Sequence, residues 1–210
     1  ASAGDEIGQV LGEIDEALSS GEVVVAVAID LTGAFDFVTH GRLIRGQLGR
    51  VDEVPPDRRH EYLMTVRWQH QFLSGRRACT RVGGECPDWG PALRGVPQGT
   101  VSGPTDWVAF IRDYLVSAGV RGEATGVRTP CYADDLFIYK RAKDVASATE
   151  AVQRELDHLG AWCSDNGMTI SRSKTSYTAF SYEDDNEADL EISDSGGRHR
   201  IDADDAPRLL

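Results

Sequence analysis

The sequence predicts an α+β fold, a sheet carrying acidic residues at its end with helices packed against it. Three observations lead there. An unbroken apolar run, Val23-Val24-Val25-Ala26-Val27-Ala28-Ile29, ends directly in Asp30 and has the length and β-branched content of a buried strand. Tyr132-Ala133-Asp134-Asp135 precedes Leu136-Phe137-Ile138-Tyr139, the pattern of a hairpin whose tip holds adjacent carboxylates. Helical periodicity recurs between such runs, most clearly over 144–165, where Val145, Ala148, Val152, Leu156, Leu159 and Trp162 fall in register.

Taken in order, residues 5–19 set Ile7, Val10, Leu11, Ile14 and Leu18 on one helical face and stop at Gly21. The strand 23–30 follows. Thr39 then caps a short helix with Leu43, Ile44 and Leu48 inward. Pro55-Pro56-Asp57 opens a longer helix with Tyr62, Val66, Phe72 and Leu73 inward. Residues 78–82 and 91–94 read as paired strands around Gly83-Gly84 and Pro87. A Gly/Pro-rich loop at 95–104 leads into an apolar helix at 105–118, then the acidic hairpin at 128–140 and the helix 144–165. Residues 167–170 and 176–180 close the ordered part. From Tyr182 onward apolar content is thin, with strand-like Leu190-Glu191-Ile192 and Arg200-Ile201, so weak order is expected there.

The chain has 210 residues, 40% hydrophobic and 27% charged, enough for a real interior. Nothing in it resembles a transmembrane stretch or signal peptide. Cys79, Cys86, Cys131 and Cys163 form no C-x-x-C pair, which favours reduced thiols in an intracellular protein over a zinc site. The net charge of −12 opposes an autonomous nucleic-acid binder. Residues 181–210 hold ten acids against three arginines, however, so most of that excess sits in the tail. Beginning at Ala1 without an initiator Met, the chain reads as a piece of a longer polypeptide.

Side-by-side carboxylates repel, so a turn bearing Asp134 and Asp135 is eased by a cation. Adjacent acids at a turn are more often merely solvated; a second strand ending in Asp30 alters that balance. Strands that each deliver a carboxylate at one end suit a two-metal phosphoryl-transfer site, with Mg²⁺, a hard ion, as the fitting metal.

Five motifs in order resemble the palm of a reverse transcriptase, in particular the kind encoded by non-LTR retrotransposons. They are Asp30-Leu31-Thr32-Gly33-Ala34-Phe35-Asp36 with Val38-Thr39-His40-Gly41-Arg42-Leu43; Phe72-Leu73-Ser74-Gly75-Arg76-Arg77 with Arg81-Val82-Gly83-Gly84; Gly95-Val96-Pro97-Gln98-Gly99-Thr100-Val101-Ser102-Gly103-Pro104; Tyr132-Ala133-Asp134-Asp135; and Gly167-Met168 through Ser173-Lys174-Thr175. The resemblance implies a polymerase palm over 1–180, an antiparallel sheet with helices 105–118 and 144–165 on one face. It also implies part of the fingers, reached through helix 56–74, and an acidic tail at 181–210 leading toward a thumb outside the chain.

The activity so implied is RNA-directed DNA polymerisation: a primer 3′-hydroxyl attacks the α-phosphate of a dNTP opposite an RNA template. Asp30 and Asp134 are then the principal ligands of two Mg²⁺ ions (Mn²⁺ as substitute), with Asp135 the weaker ligand and the Leu31 carbonyl completing a site. Lys174 becomes a proton donor to pyrophosphate, and Phe35 a ring that excludes a ribose 2′-hydroxyl. Gln98 and Gly99 meet the nucleotide, and Arg76, Arg77 and Arg81 meet nucleic-acid phosphates. Each has a blander reading: Phe35 as core, Lys174 and the arginines as solvated charge. Implied partners are RNA template, DNA primer, dNTP, missing fingers and thumb regions and an endonuclease domain of the same polypeptide, with no membrane and nuclear action.

The stretch Thr105-Asp106-Trp107 departs from the pattern, where these enzymes begin an apolar helix; Asp106 is expected to support the helix N-terminus. With the flanks outside the chain, the isolated 210 residues are expected not to polymerise. The competing readings are an inactive or domesticated remnant acting as an interaction module, and another two-metal enzyme with a palm-like fold, such as a nucleotide cyclase.

Overall fold

The computed structural model describes residues 3–204 except 82, 84, 86–87, 98, 183–187 and 195–196. In chain order its elements are α1 (Ala3–Ser19), β1 (Val23–Asp30), α2 (Ala34–Phe37), α3 (His40–Gly49), α4 (Arg59–Leu73), β2 (Arg77–Ala78), β3 (Gly90–Pro91), α5 (Gly103–Thr125), β4 (Val127–Arg128), β5 (Cys131–Tyr132), β6 (Asp135–Ala142), α6 (Val145–Asn166), β7 (Ser176–Phe180), β8 (Glu191–Asp194), β9 (Gly197–Arg200) and β10 (Asp202–Ala203). They form two compact units, one from residues 1–32 and 114–210 and the other from 33–113. No helix among the described residues is long and apolar enough to cross a membrane.

The first unit is built on a sheet ordered β10-β7-β1-β6-β4, with β5 also paired to β6. Its β1 runs antiparallel to both β6 and β7, β4 and β5 run antiparallel to β6, and β10 lies parallel to β7. β1 is central and covered on both faces, which is why it reads as continuous apolar sequence instead of alternating. Val24 and Ala26, with Phe137 and Tyr139 of β6, pack against Val10, Ile14 and Ala17 of α1. The pleat turns Val25, Val27 and Ile29 to the opposite face, alongside Leu136 and Ile138, where the buried stripe Ala148, Val152, Leu156 and Leu159 of α6 covers them. Helices thus lie on both faces, α1 being the layer beyond those expected.

The α6 boundaries follow capping chemistry. The Asp144 carboxylate accepts from the Ser147 N–H at 2.7 Å, and Gly167 ends the helix at φ 66°. Buried Glu155 accepts from Tyr114 Oη at 2.9 Å and from two Arg121 nitrogens at 2.8 and 2.6 Å, fastening the 114–125 part of α5 to α6. That network explains why α5 runs to Thr125, seven residues past the expected 118. Its anchors are polar, and a search for apolar period passes over them.

Within the acidic segment, β8 and β9 form a hairpin on α6, tied by Gln153 to the Glu191 backbone at 2.9 and 2.8 Å. Leu190, Ile192 and Ile201 are buried. Few apolar residues suffice here because each occupies an inward position.

In the second unit, α3 buries Leu43, Ile44 and Gln47, whereas Leu48, expected inward, is 49% exposed. Thr39 stands at the α3 N-cap but its side chain makes no capping bond. α4 follows a 3-10 turn (Pro56–Arg58) and buries Val66, Gln69 and Leu73. Gln69 Nε2 donates to the Asp106 carboxylate, which is buried and has its pKa raised chiefly by burial. Asp106 therefore joins α4 to α5 instead of standing at a solvated helix end. The strands expected at 78–82 and 91–94 shrink to the two-residue ladder of β2 with β3, since Pro91 has no N–H to extend it. Cys79, just after β2, is disulfide-bonded, against the expectation of reduced thiols; a covalent tie beside so short a ladder supplies constraint that apolar burial does not. Cys131 and Cys163 keep reduced thiols, and Cys86 lies outside the described residues.

Candidate active site

The strand pairing fixes the candidate site. β1 and β6 run in register from Val23 opposite Ala142 to Asp30 opposite Asp135, so two carboxylates face each other where the two central strands end. Directly opposed like charges destabilise an antiparallel pair, and the Asp135 carboxyl shows it. Its pKa is raised by burial first, then by the charges of Asp134 and Asp30, with Lys174 pulling the other way.

Asp134 enters through the turn. Tyr132 pairs with Asp135, leaving Ala133 and Asp134 as a two-residue connection. Ala133 has φ 54°, a left-handed conformation unusual for a residue with a Cβ. A positive φ at the first turn position alone is the sign pattern of a II′ hairpin, which usually takes glycine there. The tip is consequently sharp, and Asp134 follows immediately on its strained residue.

Lys174 arrives by a different route. The Thr32 N–H donates to the Thr169 carbonyl at 2.8 Å and the Ser171 N–H to the Asp30 carbonyl at 2.8 Å, zipping residues 169–171 onto the end of β1. A turn closed by the Thr175 N–H on the Ser171 carbonyl, 3.0 Å, then brings Lys174 Nζ to 3.3 Å from Asp30 Oδ1. Because carbonyls alternate along a strand, the Leu31 carbonyl is directed away from this segment, toward the β6 side.

Among the described residues no group of three or more His, Cys, Asp or Glu side chains forms a metal cluster. The donor set nonetheless fits a hard cation: the Asp30 and Asp135 carboxylates stand on facing strand ends with Asp134 on the adjoining turn, and the Leu31 carbonyl follows next along the chain. Lys174 partly neutralises Asp30 in the meantime.

Comparison with known proteins identifies the family. Residues 5–195 match the family model for reverse transcriptase (RNA-dependent DNA polymerase). The chain belongs to the reverse transcriptase family. It is 28% identical over 177 residues to the RNA-directed DNA polymerase from mobile element jockey of Drosophila melanogaster, and 27% identical to that of Drosophila funebris. Each alignment takes in 84% of this chain and 18% of the relative, so the chain spans less than a fifth of those proteins' length. The non-LTR kinship read from the motifs accords with these relatives. Apo telomerase from Candida tropicalis, truncated from its C-terminal domain, superposes with TM-score 0.61 at 13% identity, over 95% of this chain and 39% of that one. Telomerase from the same organism with a fragment of telomeric RNA gives 0.62 at 13% identity, over 91% and 31%. The fold is thus the α+β polymerase palm with part of the fingers.

The remaining expected site residues of this reverse transcriptase segment lie in the second unit. Phe35, on α2, is half-buried, with its ring 5.9 Å from that of Trp107. Its carbonyl accepts from the Val96 N–H at 2.8 Å, so α2 carries the start of the 95–104 loop. Gly95 has φ 90° and a Cβ there would lie 3.1 Å from the Asp36 carbonyl oxygen, which makes glycine necessary. His40 Nε2 lies 2.8 Å from the Gly95 carbonyl, a support that sequence reading missed; a histidine within the first motif was the available signal. Gly99 is exposed with φ 79°, and Gln98 lies outside the described residues. Arg76 caps the Phe72 ring at 5.0 Å, Arg77 donates to the Trp89 carbonyl at 2.7 Å, and Arg81 is exposed. The clamp by Thr169 and Ser171 was also missed, since only backbone atoms make it.

Proposed function

We propose that this chain is the catalytic palm, with part of the fingers, of an RNA-directed DNA polymerase encoded by a retrotransposon. The observation that carries the reading is Asp30 standing directly opposite Asp135, with Asp134 on the adjoining turn. Asp30, Asp134 and Asp135, completed by the Leu31 carbonyl, would hold two Mg²⁺ ions, Mn²⁺ being the substitute. Bound there, the ions would make a primer 3′-hydroxyl nucleophilic and neutralise the leaving pyrophosphate.

In the transfer, the 3′-oxygen bonds to the dNTP α-phosphorus, the bond from that phosphorus to pyrophosphate breaks, and the hydroxyl proton passes to solvent water. Lys174 holds a proton on Nζ beside Asp30 and gives it to the leaving pyrophosphate. Phe35, held against Trp107, fills the space a ribose 2′-hydroxyl would need, which selects deoxynucleotides. Gln98 and Gly99 contact the nucleotide from the 95–104 loop. Arg76, Arg77 and Arg81 meet nucleic-acid phosphates. Template RNA and primer DNA are the partners, and the rest of the fingers, the thumb and an endonuclease belong to the longer polypeptide, which acts in the nucleus.

Primer extension on an RNA template with Mg²⁺ and dNTPs, using the longest natural polypeptide containing this segment, tests the reading. Extension that Asp134→Ala with Asp135→Ala abolishes supports it. A folded, template-binding protein that extends nothing favours the second reading, an inactive palm kept as an interaction module, for which the net charge of −12 speaks.

A further inference from the structure

The second unit carries an aromatic face on α4 that has no part in the proposed chemistry, which draws only on the arginines that follow it. On α4, Trp68 and Phe72 are one helical turn apart and stack with ring centroids 5.3 Å apart and planes 8° from parallel. The Arg76 guanidinium continues the pile, 5.0 Å from the Phe72 centroid. The outer end of this ladder is open: Trp68 is 55% exposed and Met64, one turn earlier, 51%. An exposed tryptophan over a second aromatic and an arginine is costly to leave in water, and such patches mark binding surfaces.

Its electrostatics select the occupant. Residues 59–81 contain Arg59, Arg67, Arg76, Arg77 and Arg81 against one acidic residue, Glu61, in a chain of net charge −12. Glu61 lies 3.7 Å from Arg58, and Arg59 is taken up by Asp52 and the Val54 carbonyl. Arg67, Arg77 and Arg81 are exposed, Arg67 next to Trp68 and Arg77 next to Arg76 in the chain, and Arg77 also donates to the Trp89 carbonyl. A flat π-face flanked by arginines, in an otherwise acidic molecule, fits an anionic polymer with unstacked planar groups. An apolar or acidic protein surface would use the tryptophan or the arginines, but a nucleic acid uses both.

We propose that the Trp68–Phe72–Arg76 ladder is a stacking platform for a base of single-stranded RNA, with Arg67, Arg77 and Arg81 on the flanking phosphates. The inference deepens the polymerase reading, on which it rests for the choice of RNA. Sequence-tolerant stacking on aromatics beside a basic track is how single strands are held without base-specific readout.

The test is fluorescence anisotropy of a labelled oligouridylate against the longest natural polypeptide containing this segment, without dNTPs or divalent ions, with an RNA duplex as comparator. Trp68→Ala is expected to weaken single-strand binding about 5- to 150-fold and leave duplex binding within about twofold, while Trp68→Phe, which keeps a π-face, stays within about threefold of wild type. Arg67→Gln and Arg77→Gln should each lower the log–log salt slope by about 0.7. Trp68 is exposed, and matching thermal melts will confirm that Trp68→Ala is folded. Single-strand affinity unchanged in Trp68→Ala, or single-strand and duplex affinity lost together, overturns the proposal. Primer extension run in parallel separates the two claims. Extension with Trp68-independent RNA binding sinks the platform and leaves the polymerase; Trp68-dependent binding without extension does the reverse.

Discussion

Neutralising Asp135 as Asp135→Asn should make the metal-free protein more stable while removing a carboxylate of the proposed metal site. Asp135 sits directly across from Asp30 and next to Asp134, and opposed like charges cost an antiparallel pair about 0.2–1 kcal/mol. Partial burial of Asp135 moves the value toward the upper end, and Lys174 offsets some of it. A net gain of about 0.5–1 kcal/mol corresponds to a rise in Tm of about 1–4 °C for a chain of this size. The pH dependence has a definite sign. The folded pKa of Asp135 lies above the ordinary carboxylate value of 3.8, so the folded chain binds this proton more readily than the unfolded one. Ionised Asp135 therefore costs stability at neutral pH, and the cost is relieved as pH falls through the folded pKa. The advantage of Asp135→Asn should be full above the folded pKa and vanish below the unfolded one. Urea denaturation in EDTA at pH 7 and pH 4, repeated with Mg²⁺, measures this; Mg²⁺ should raise the wild-type midpoint more than the variant's. A variant less stable than wild type at pH 7 in EDTA would refute the claim that these carboxylates stand in net repulsion.

Three further outcomes are expected. Glu155→Ala leaves Tyr114 and Arg121 without their shared acceptor and should cost about 3 kcal/mol, read from the urea midpoint. Ala133→Gly relieves a positive φ and should stabilise the fold by less than about 1 kcal/mol; a destabilised variant in thermal melts would contradict the hairpin geometry. Burial pushes the Cys163 thiol up to about 12, so iodoacetamide at pH 8 should spare Cys163 in the native protein and label it in urea, as peptide mapping would show.

Much of the fold was legible because its signals are local. β1 is buried at Val23 to Val27 and at Ile29 and reads as seven apolar residues ending in Asp30, and α6 shows both its caps and its apolar stripe in sequence. What misled was chemistry made between distant residues. Leu48 has the spacing of a core position yet faces out, while polar Gln47 and Gln69 are buried, the latter because Asp106 receives its amide. β2 and β3 are shorter than their composition suggests because proline cannot extend a ladder, and Cys79 supplies a covalent tie in their place.

For the candidate site, the sequence by itself determined which residues carry the charge: a carboxylate ending one strand, two more at a hairpin tip and a lysine in a later motif. Only the tertiary structure decided that Asp30 pairs with Asp135, that Ala133 takes the strain of the turn, and that Lys174 lies on Asp30. Strand register and a backbone zipper across about 140 residues of chain set these relations. Such hydrogen bonds are made by main-chain atoms common to nearly every residue, so the sequence names the charged residues and the fold alone brings them together.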